Sequence, residues 1–193
     1  MPLRFRRNHI FSRHAATGLL AVLVLVATSS AEQLAPRLKQ PDVRYVPTPQ
    51  HIVDLMLDLA RVTAADVVYD LGSGDGRIPI TAARRFGARG VGVEIDPLRV
   101  RDANDNLVKS GVHDRVWFLN QDLFDADISQ ATVVTLFLLP QLNQRLIPKL
   151  KRELKPGSRV VSYLWDMGAE WPADRTTDVD GWMIYLWTIK AVR

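Results

Sequence analysis

Short apolar runs alternate along the chain with segments whose apolar residues recur at helical spacing. Thr48 and Pro49 form an N-cap and first-position pair, and apolar residues then follow with helical periodicity up to residue 60. Further helices are predicted at 78–86, 97–110 and 141–154, the last interrupted by Pro148. Strands are predicted at 67–69, 90–95, 116–119, 132–138 and 160–165. Alternating strands and helices indicate right-handed βαβ units and a parallel sheet covered on both faces.

The C-terminal end has a different pattern. Residues 175–179 and 182–190 flank Asp180 and Gly181, a pair typical of a two-residue hairpin turn. The connection at 166–174 is too short for a crossover helix. The predicted fold is therefore α/β, a doubly wound, mostly parallel seven-stranded sheet that ends in an antiparallel hairpin.

Residues 1–31 have the three-part pattern of a secretory signal. Arginines precede an apolar run at 15–27, and Ser29-Ser30-Ala31 offers a cleavage site. An uncleaved anchor contacting the membrane and a mitochondrial presequence are the alternatives. Prolines in residues 32–46 suggest a linker, so the folded domain is predicted at 47–193. The pattern favours an exported, periplasmic or membrane-anchored protein over a cytoplasmic or mitochondrial one.

Composition narrows the function classes. Four of the 25 basic residues lie within 1–31, where there is no acidic residue, so 21 basic residues face 21 acidic ones in the remainder. Because basic and acidic residues are equal in number there, the domain has no excess of positive charge for binding nucleic acid, and no nucleic-acid partner is predicted. The absence of cysteine excludes thiol nucleophiles and thiolate metal sites, and the four histidines lack metal-ligand spacing, so no metal is predicted.

The segment that carries chemistry is a glycine-rich loop between the first predicted strand and a helix. Asp70 ends the strand, and Gly72, Ser73, Gly74 and Gly76 follow. Glycines let the backbone pass close to a ligand, and a helix N-terminus supplies free N–H groups. A dinucleotide site would need its third glycine at position 77, which is arginine, so an NAD(P)-dependent oxidoreductase is the weaker alternative. A tight turn that binds no ligand is the third interpretation of this loop.

Glu94 ends the second predicted strand, 18 residues after Gly76. A carboxylate at that strand tip can accept hydrogen bonds from both ribose hydroxyls of a nucleoside, although a solvated strand-end acid has the same sequence signature. Asp96 is better explained as the N-cap of the next helix.

The chain resembles class I S-adenosylmethionine-dependent methyltransferases, which have a Rossmann-like fold. Their motif I matches Asp70 to Arg77. More closely, the segments Tyr45 to Gln50 and Leu138 to Asn143 resemble the family of ATP synthase c-subunit and adenine nucleotide translocase lysine N-methyltransferases and its bacterial relatives. The resemblance spans residues 43–175.

The resemblance implies S-adenosyl-L-methionine as cofactor and a protein lysine as substrate. The apolar N-terminus suggests that this substrate is a membrane protein. It implies that Asp122 binds the adenine amino group, with Asp125 and Asp127 as competitors, and that Gln50 lies over the methionine end. It places substrate contacts in the loop that contains Pro140, Gln141 and Asn143. Asp166 is a further candidate, or only a turn residue. No general base is identified, and a non-catalytic exported module that retains the fold is the remaining alternative.

Overall fold

The computed structural model describes residues 40, 41 and 43–191. The predicted signal or anchor at 1–31 and the linker up to residue 39 lie outside the described residues. The helices of the described part are α1 (Gln50–Leu59), α2 (Arg77–Phe86), α3 (Pro97–Ser110) and α4 (Pro140–Glu153). Its strands are β1 (Val67–Leu71), β2 (Arg89–Glu94), β3 (Val116–Asn120), β4 (Val133–Leu136), β5 (Arg159–Tyr163), β6 (Arg175–Val179) and β7 (Trp182–Thr188).

The seven strands form one sheet in the order β3-β2-β1-β4-β5-β7-β6. Strands β1 to β5 are parallel to their neighbours, whereas β7 runs antiparallel to both β5 and β6. Asp180 and Gly181 join the last two strands with φ angles of 52° and 84°, as a two-residue hairpin with both central residues left-handed requires. The predicted doubly wound sheet with its terminal hairpin is confirmed.

Successive residues of β1 face opposite sides of the sheet and belong to separate apolar cores. Tyr69 and Leu71 belong to the core that contains the buried face of α4. Val68 belongs to the core that contains α1 and α2. Because every residue of β1 is buried, the strand shows no alternation of buried and exposed positions, and Asp70 is its buried charged residue.

The chain leaves β1 and β4 toward opposite faces, since α2 packs in one core and α4 in the other. These two strands are adjacent, so the strand order reverses between them. In a doubly wound sheet this reversal opens a crevice at the carboxyl ends of the strands. The glycine loop after Leu71 and the segment after Leu136 both begin at that crevice.

Two details of the helices differ from the sequence prediction. Helix α1 has Pro49 rather than Thr48 at its N-cap, and no side chain caps it. Thr48 is instead buried, and its carbonyl accepts a hydrogen bond from Arg77. Helix α4 continues through Pro148 without interruption, because burial of Leu146, Ile147 and Leu150 offsets the hydrogen bond that the proline cannot donate. In residues 43–191, no helix has the length and apolarity of a membrane span.

Candidate active site

The glycine loop turns sharply between β1 and α2. Gly72, Gly74 and Gly76 have φ angles of 86°, 51° and 78°, a region that disfavours any residue with a Cβ. The N–H of Gly72 donates to the carbonyl of Val93 at 2.8 Å, which fixes the loop against β2. A side chain at Gly74 would also overlap the ring of Tyr45. The loop therefore depends on glycine for its backbone conformation and for the contact above it.

Asp70 is buried where β1 enters the loop. Its Oδ1 accepts a hydrogen bond from the Thr135 hydroxyl of β4 at 2.7 Å. Burial raises the pKa of Asp70 to about 7; the nearby carboxylates of Glu94 and Asp75 add to the rise, and the hydrogen bond from Thr135 opposes it. This carboxyl therefore changes charge near neutral pH and favours any cation placed beside it.

Both carboxylate oxygens of Glu94 hold backbone groups. Oε2 accepts from the N–H of Gly74 at 2.8 Å, and Oε1 accepts from the N–H of Asp96 at 2.9 Å. Glu94 thus joins the tip of β2 to the glycine loop and to the start of α3. Since each carboxylate oxygen has two lone pairs, the side chain keeps acceptor capacity toward the adjacent cavity. Asp96 caps α3 as predicted, accepting from the N–H of Leu98 at 2.9 Å.

A cavity of about 810 Å³, counting the space that opens to solvent, lies beside Glu94 at the carboxyl edge of the sheet. Asp122 lines it and is buried; its Oδ1 accepts from the N–H of Phe124 at 3.0 Å. Apolar side chains form much of the remaining wall: Val43, Val93, Ile95, Leu123, Phe124, Phe137, Leu138 and Leu142. Flat apolar walls interrupted by a few fixed carboxylates suit a heteroaromatic ring attached to a sugar.

A second cavity of about 330 Å³ adjoins the first and shares four lining residues with it, namely Tyr45, Val46, Gly72 and Phe137. Its walls are more polar and include Asp70, Ser73 and Thr48. The Ser73 hydroxyl is buried and has no hydrogen-bond partner among the described residues. The hydroxyl packs against Gly92 of β2, where a side chain would overlap it, so Ser73 contributes to the cavity wall with its other atoms.

Residues 43–48, here called the strap, cover both cavities. Tyr45 packs over Gly74, and the guanidinium of Arg99 lies 5.1 Å from the centre of its ring. Arg77 donates to the Thr48 carbonyl at 2.8 Å and pairs with Asp75 at 2.6 Å. The sequence suggested that residues up to 46 were linker, but the strap contributes walls to the site.

The predicted substrate-loop residues separate in the structure. Asn143 is completely buried and donates to the Ser162 hydroxyl at 3.2 Å and to the Trp165 carbonyl at 3.1 Å, so it connects α4 to the end of β5. Pro140 begins α4, and the side chain of Gln141 is exposed beside it. The amide NH2 of Asn143 is thus used inside the fold, whereas its Oδ1 is buried and has no hydrogen-bond partner among the described residues.

Gln50 also differs from its expected place over the ligand. Its side chain is exposed and donates to Asp54 at 3.2 Å and to Thr81 at 3.1 Å. It lines neither of the two cavities described here. Thr48, which the sequence predicted as a helix cap, lines the second cavity instead.

Sequence reasoning missed Thr135, Phe137 and the anchoring role of Arg77. Thr135 had a usable signal, since it is the polar residue in the otherwise apolar strand Val133–Leu136. Arg77 had none, because its partner Thr48 lies 29 residues earlier.

Residues 70–175 match the ANTKMT methyltransferase domain. A protein-lysine N-methyltransferase of Saccharolobus islandicus is 48% identical over 153 residues, which cover 77% of this chain and 95% of that protein. An ATP synthase c-subunit lysine N-methyltransferase of Homo sapiens is 32% identical, with 83% of this chain and 68% of that protein covered.

A solved structure shares both sequence and fold with the chain. The crystal structure of an RNA methyltransferase from Salinibacter ruber in complex with S-adenosyl-L-homocysteine is 57% identical, with a TM-score of 0.75. The match covers 77% of this chain and 96% of that one. The resemblance in the three sequence segments is thereby confirmed: the chain belongs to the ANTKMT methyltransferase domain family and is an S-adenosylmethionine-dependent methyltransferase.

Proposed function

We propose that the two adjoining cavities together bind S-adenosylmethionine and that the enzyme methylates protein lysine. The residues present fit the cofactor. The apolar cavity suits the adenine, and Glu94 and Asp122 are carboxylates fixed on its wall. The second cavity offers the Asp70 carboxyl and the backbone of the glycine loop at Gly72 and Ser73 to the polar methionine end.

Each proposed contact uses a group that the fold already orients. Glu94 accepts from the ribose hydroxyls, and Asp122 accepts from the adenine amino group. Gly72, Ser73, Gly74 and Gly76 provide the loop over which the nucleoside passes. Gln50 has no place in this proposal, because its amide is bonded to Asp54 and Thr81 on the outside of the domain.

When bound, the cofactor supplies an electrophilic methyl group on a cationic sulfur. The chain's contribution is to orient this group, to exclude water and to bring a nucleophile into line with it. The strap and Phe137 cover the junction of the two cavities and shield it from solvent. A lysine nitrogen must lose its proton before it reacts, and desolvation against the apolar wall that Phe137 contributes lowers its pKa without a dedicated base.

The observation that supports lysine as the substrate is the charge of residues 164–183, which begin and end at the carboxyl edge of the sheet and are here called the outlet side. Residues 164–183 contain five carboxylates against a single basic side chain, that of Arg175. Three of the carboxylates, those of Asp166, Asp178 and Asp180, are exposed and lie near the carboxyl ends of β5 and β6. Such a surface attracts a lysine side chain and repels the phosphates of a nucleic acid.

Exposed apolar side chains at the same edge favour a protein as the partner. Leu139 is 46% exposed, Trp165 37% and Trp182 49%; the first two lie within three residues of the ends of β4 and β5, and Trp182 begins β7. Aromatic and aliphatic groups of this kind form the centres of protein interfaces. RNA remains the competing substrate class, because the relative from Salinibacter ruber is named an RNA methyltransferase.

We further propose that residues 1–31 direct the protein to the membrane or across it, where a membrane protein is its substrate. The support is the sequence pattern of four arginines, an apolar run and small residues. Positive charges before an apolar segment stay on the cytoplasmic side, so insertion would place the domain on the opposite side.

Replacing Glu94 by Gln tests the ribose contact. The parent enzyme should bind S-adenosylhomocysteine about tenfold or more tightly than its 2′,3′-dideoxy analogue, because hydrogen bonds to a charged acceptor are lost. In Glu94→Gln this preference should largely disappear, as titration calorimetry of both ligands with both proteins will show. Weaker binding of both ligands with an unchanged ratio would mean that Glu94 only holds the loop.

Cofactor affinity should depend on pH through Asp70. Its pKa of about 7 means that the carboxyl is mostly protonated below pH 7 and ionised above it. Since the cofactor is cationic, binding favours the ionised form, so affinity should rise up to about tenfold per pH unit below 7 and level off above it.

The measurement is calorimetric binding of S-adenosylmethionine from pH 5.5 to 8.5 in the parent and in Asp70→Asn. The difference between the two profiles isolates Asp70 from other groups that titrate. Parallel profiles would remove Asp70 from the cationic end of the ligand.

Methyl-labelled S-adenosylmethionine identifies the substrate class. Incubated with cell fractions, including membranes, the enzyme should label material that resists ribonuclease and is destroyed by protease, and mass spectrometry should locate the methyl group on lysine. Gly74→Val is the inactive control, because the valine meets Tyr45 and adopts an unfavourable φ. Label removed by ribonuclease would instead identify RNA as the substrate.

Location is tested with a reporter that is active only outside the cytoplasm, fused after Arg193. Activity is expected if residues 1–31 direct translocation. A silent fusion together with a soluble, uncleaved chain that still begins at Met1 would contradict the proposal.

A further inference from the structure

Three aromatic rings form a row from the cavities to the protein surface. Phe137 lines both cavities, and its ring centre lies 4.7 Å from that of Tyr163. The Tyr163 ring centre in turn lies 6.4 Å from that of Trp182. Both pairs are tilted by 54°, a packing typical of aromatic side chains in contact.

Strand topology explains why these rings meet. Phe137 directly follows β4, Tyr163 is the last residue of β5, and Trp182 is the first residue of the antiparallel strand β7. All three positions fall at the carboxyl edge of the sheet, where the cavities open. Trp182 is 49% exposed, whereas Tyr163 is 5% exposed. Tyr163 is therefore buried between the exposed Trp182 ring and the Phe137 ring at the cavities.

The cation–π contacts of the described residues lie at rings outside the row. Among the described residues, arginine or lysine groups lie over four rings, those of Phe86, Tyr45, Phe124 and Trp171. No such contact involves Phe137, Tyr163 or Trp182 in residues 43–191. The exposed Trp182 ring and the Phe137 ring that lines the cavities are therefore open to a cation from outside the chain, whereas Tyr163 is buried between them.

The charges beside the row have the matching sign. Asp178 and Asp180 precede Trp182 on the same hairpin, and both are exposed. Asp178 accepts from the N–H of Gly181 at 2.8 Å, which fixes this carboxylate at the hairpin turn that precedes Trp182. A cation approaching Trp182 is attracted both by these carboxylates and by the ring face.

We propose that the aromatic row is the subsite for the substrate's lysine nitrogen, with Trp182 as its outer face and Phe137 as its inner wall. This assignment rests on the proposed lysine methyltransferase function. Aromatic faces attract a positive charge without requiring N–H donors. The subsite therefore binds the nitrogen as an ammonium ion and also after methyl groups have replaced its hydrogens.

The test compares two short peptides on the S-adenosylhomocysteine-loaded full chain. One is acetyl-glycyl-trimethyllysyl-glycinamide; the other carries a carbon in place of the charged nitrogen, so the two have the same shape and differ in charge. The parent should bind the charged peptide about three- to tenfold more tightly. Trp182→Ala should lose this preference, and Trp182→Phe should keep part of it.

Trp117→Ala is the matched control, because Trp117 is also 49% exposed but lies near the amino end of β3. It should retain the parent's preference for the charged peptide. Equal melting temperatures of the Trp182 and Trp117 variants establish that both are folded.

Equal affinity of the parent for the two peptides would overturn the proposal. So would a Trp182→Ala protein whose preference matches that of Trp117→Ala. Neither result depends on methyl transfer, so the assignment of the row can fail while labelling still identifies protein lysine as the substrate. Conversely, labelling of RNA alone would refute the lysine function even if the row binds the charged peptide.

Discussion

Gly74 is the position on which the site most depends, because three separate parts of the chain meet there. Its N–H is bound by Glu94 of β2, and the ring of Tyr45 packs where a side chain would otherwise stand. A β-carbon at this position would displace the strap and strain the loop at the same time. The tip of β2, the turn into α2 and the cover of both cavities are therefore fixed by one residue that lacks a side chain.

The polar groups of the site serve structure and binding together. Glu94 orients two backbone N–H groups, and Asp70 accepts from Thr135, before any ligand is considered. Groups held in this way lose little freedom when a ligand arrives, so less binding energy is spent on ordering them. Holding Asp70 in this way has an energetic cost, because burial beside other carboxylates raises its pKa and destabilises the ionised carboxylate. A cation bound beside it would offset that cost.

The sequence predicted the elements of the fold well and the side-chain partners poorly. Strands, the Asp180-Gly181 turn and the glycine loop depend on local periodicity and backbone preference, and these are visible in short windows. The strap is held by the hydrogen bond from Arg77 to Thr48. Helix α4 is joined to the end of β5 by the hydrogen bonds from Asn143 to Ser162 and Trp165. Such contacts join distant segments, and nothing in either segment alone specifies them.

Asn143 shows that a sequence motif can identify a family without revealing the contacts of each residue in it. The Leu138 to Asn143 segment correctly indicated the family, and the asparagine NH2 group positions the turn after β5, a contact that the motif does not predict. That turn includes Leu164, whose φ of 71° is unfavourable for a residue with a β-carbon. The hydrogen bonds of Asn143 stabilise the strained backbone beside the aromatic row.

The outlet side of the site carries negative charge. The first cavity is lined by charges of both signs, those of Arg44 and Arg99 and those of Glu94, Asp96 and Asp122, whereas Asp166, Asp178 and Asp180 are exposed on the outlet side. Methylation replaces hydrogens on the lysine nitrogen but leaves a positively charged product. An outlet that recognised N–H donors would weaken with each methyl group, whereas carboxylates combined with aromatic faces keep their attraction for the charge. The geometry at the end of β5 and β7 therefore suits a nucleophile that becomes progressively less able to donate hydrogen bonds.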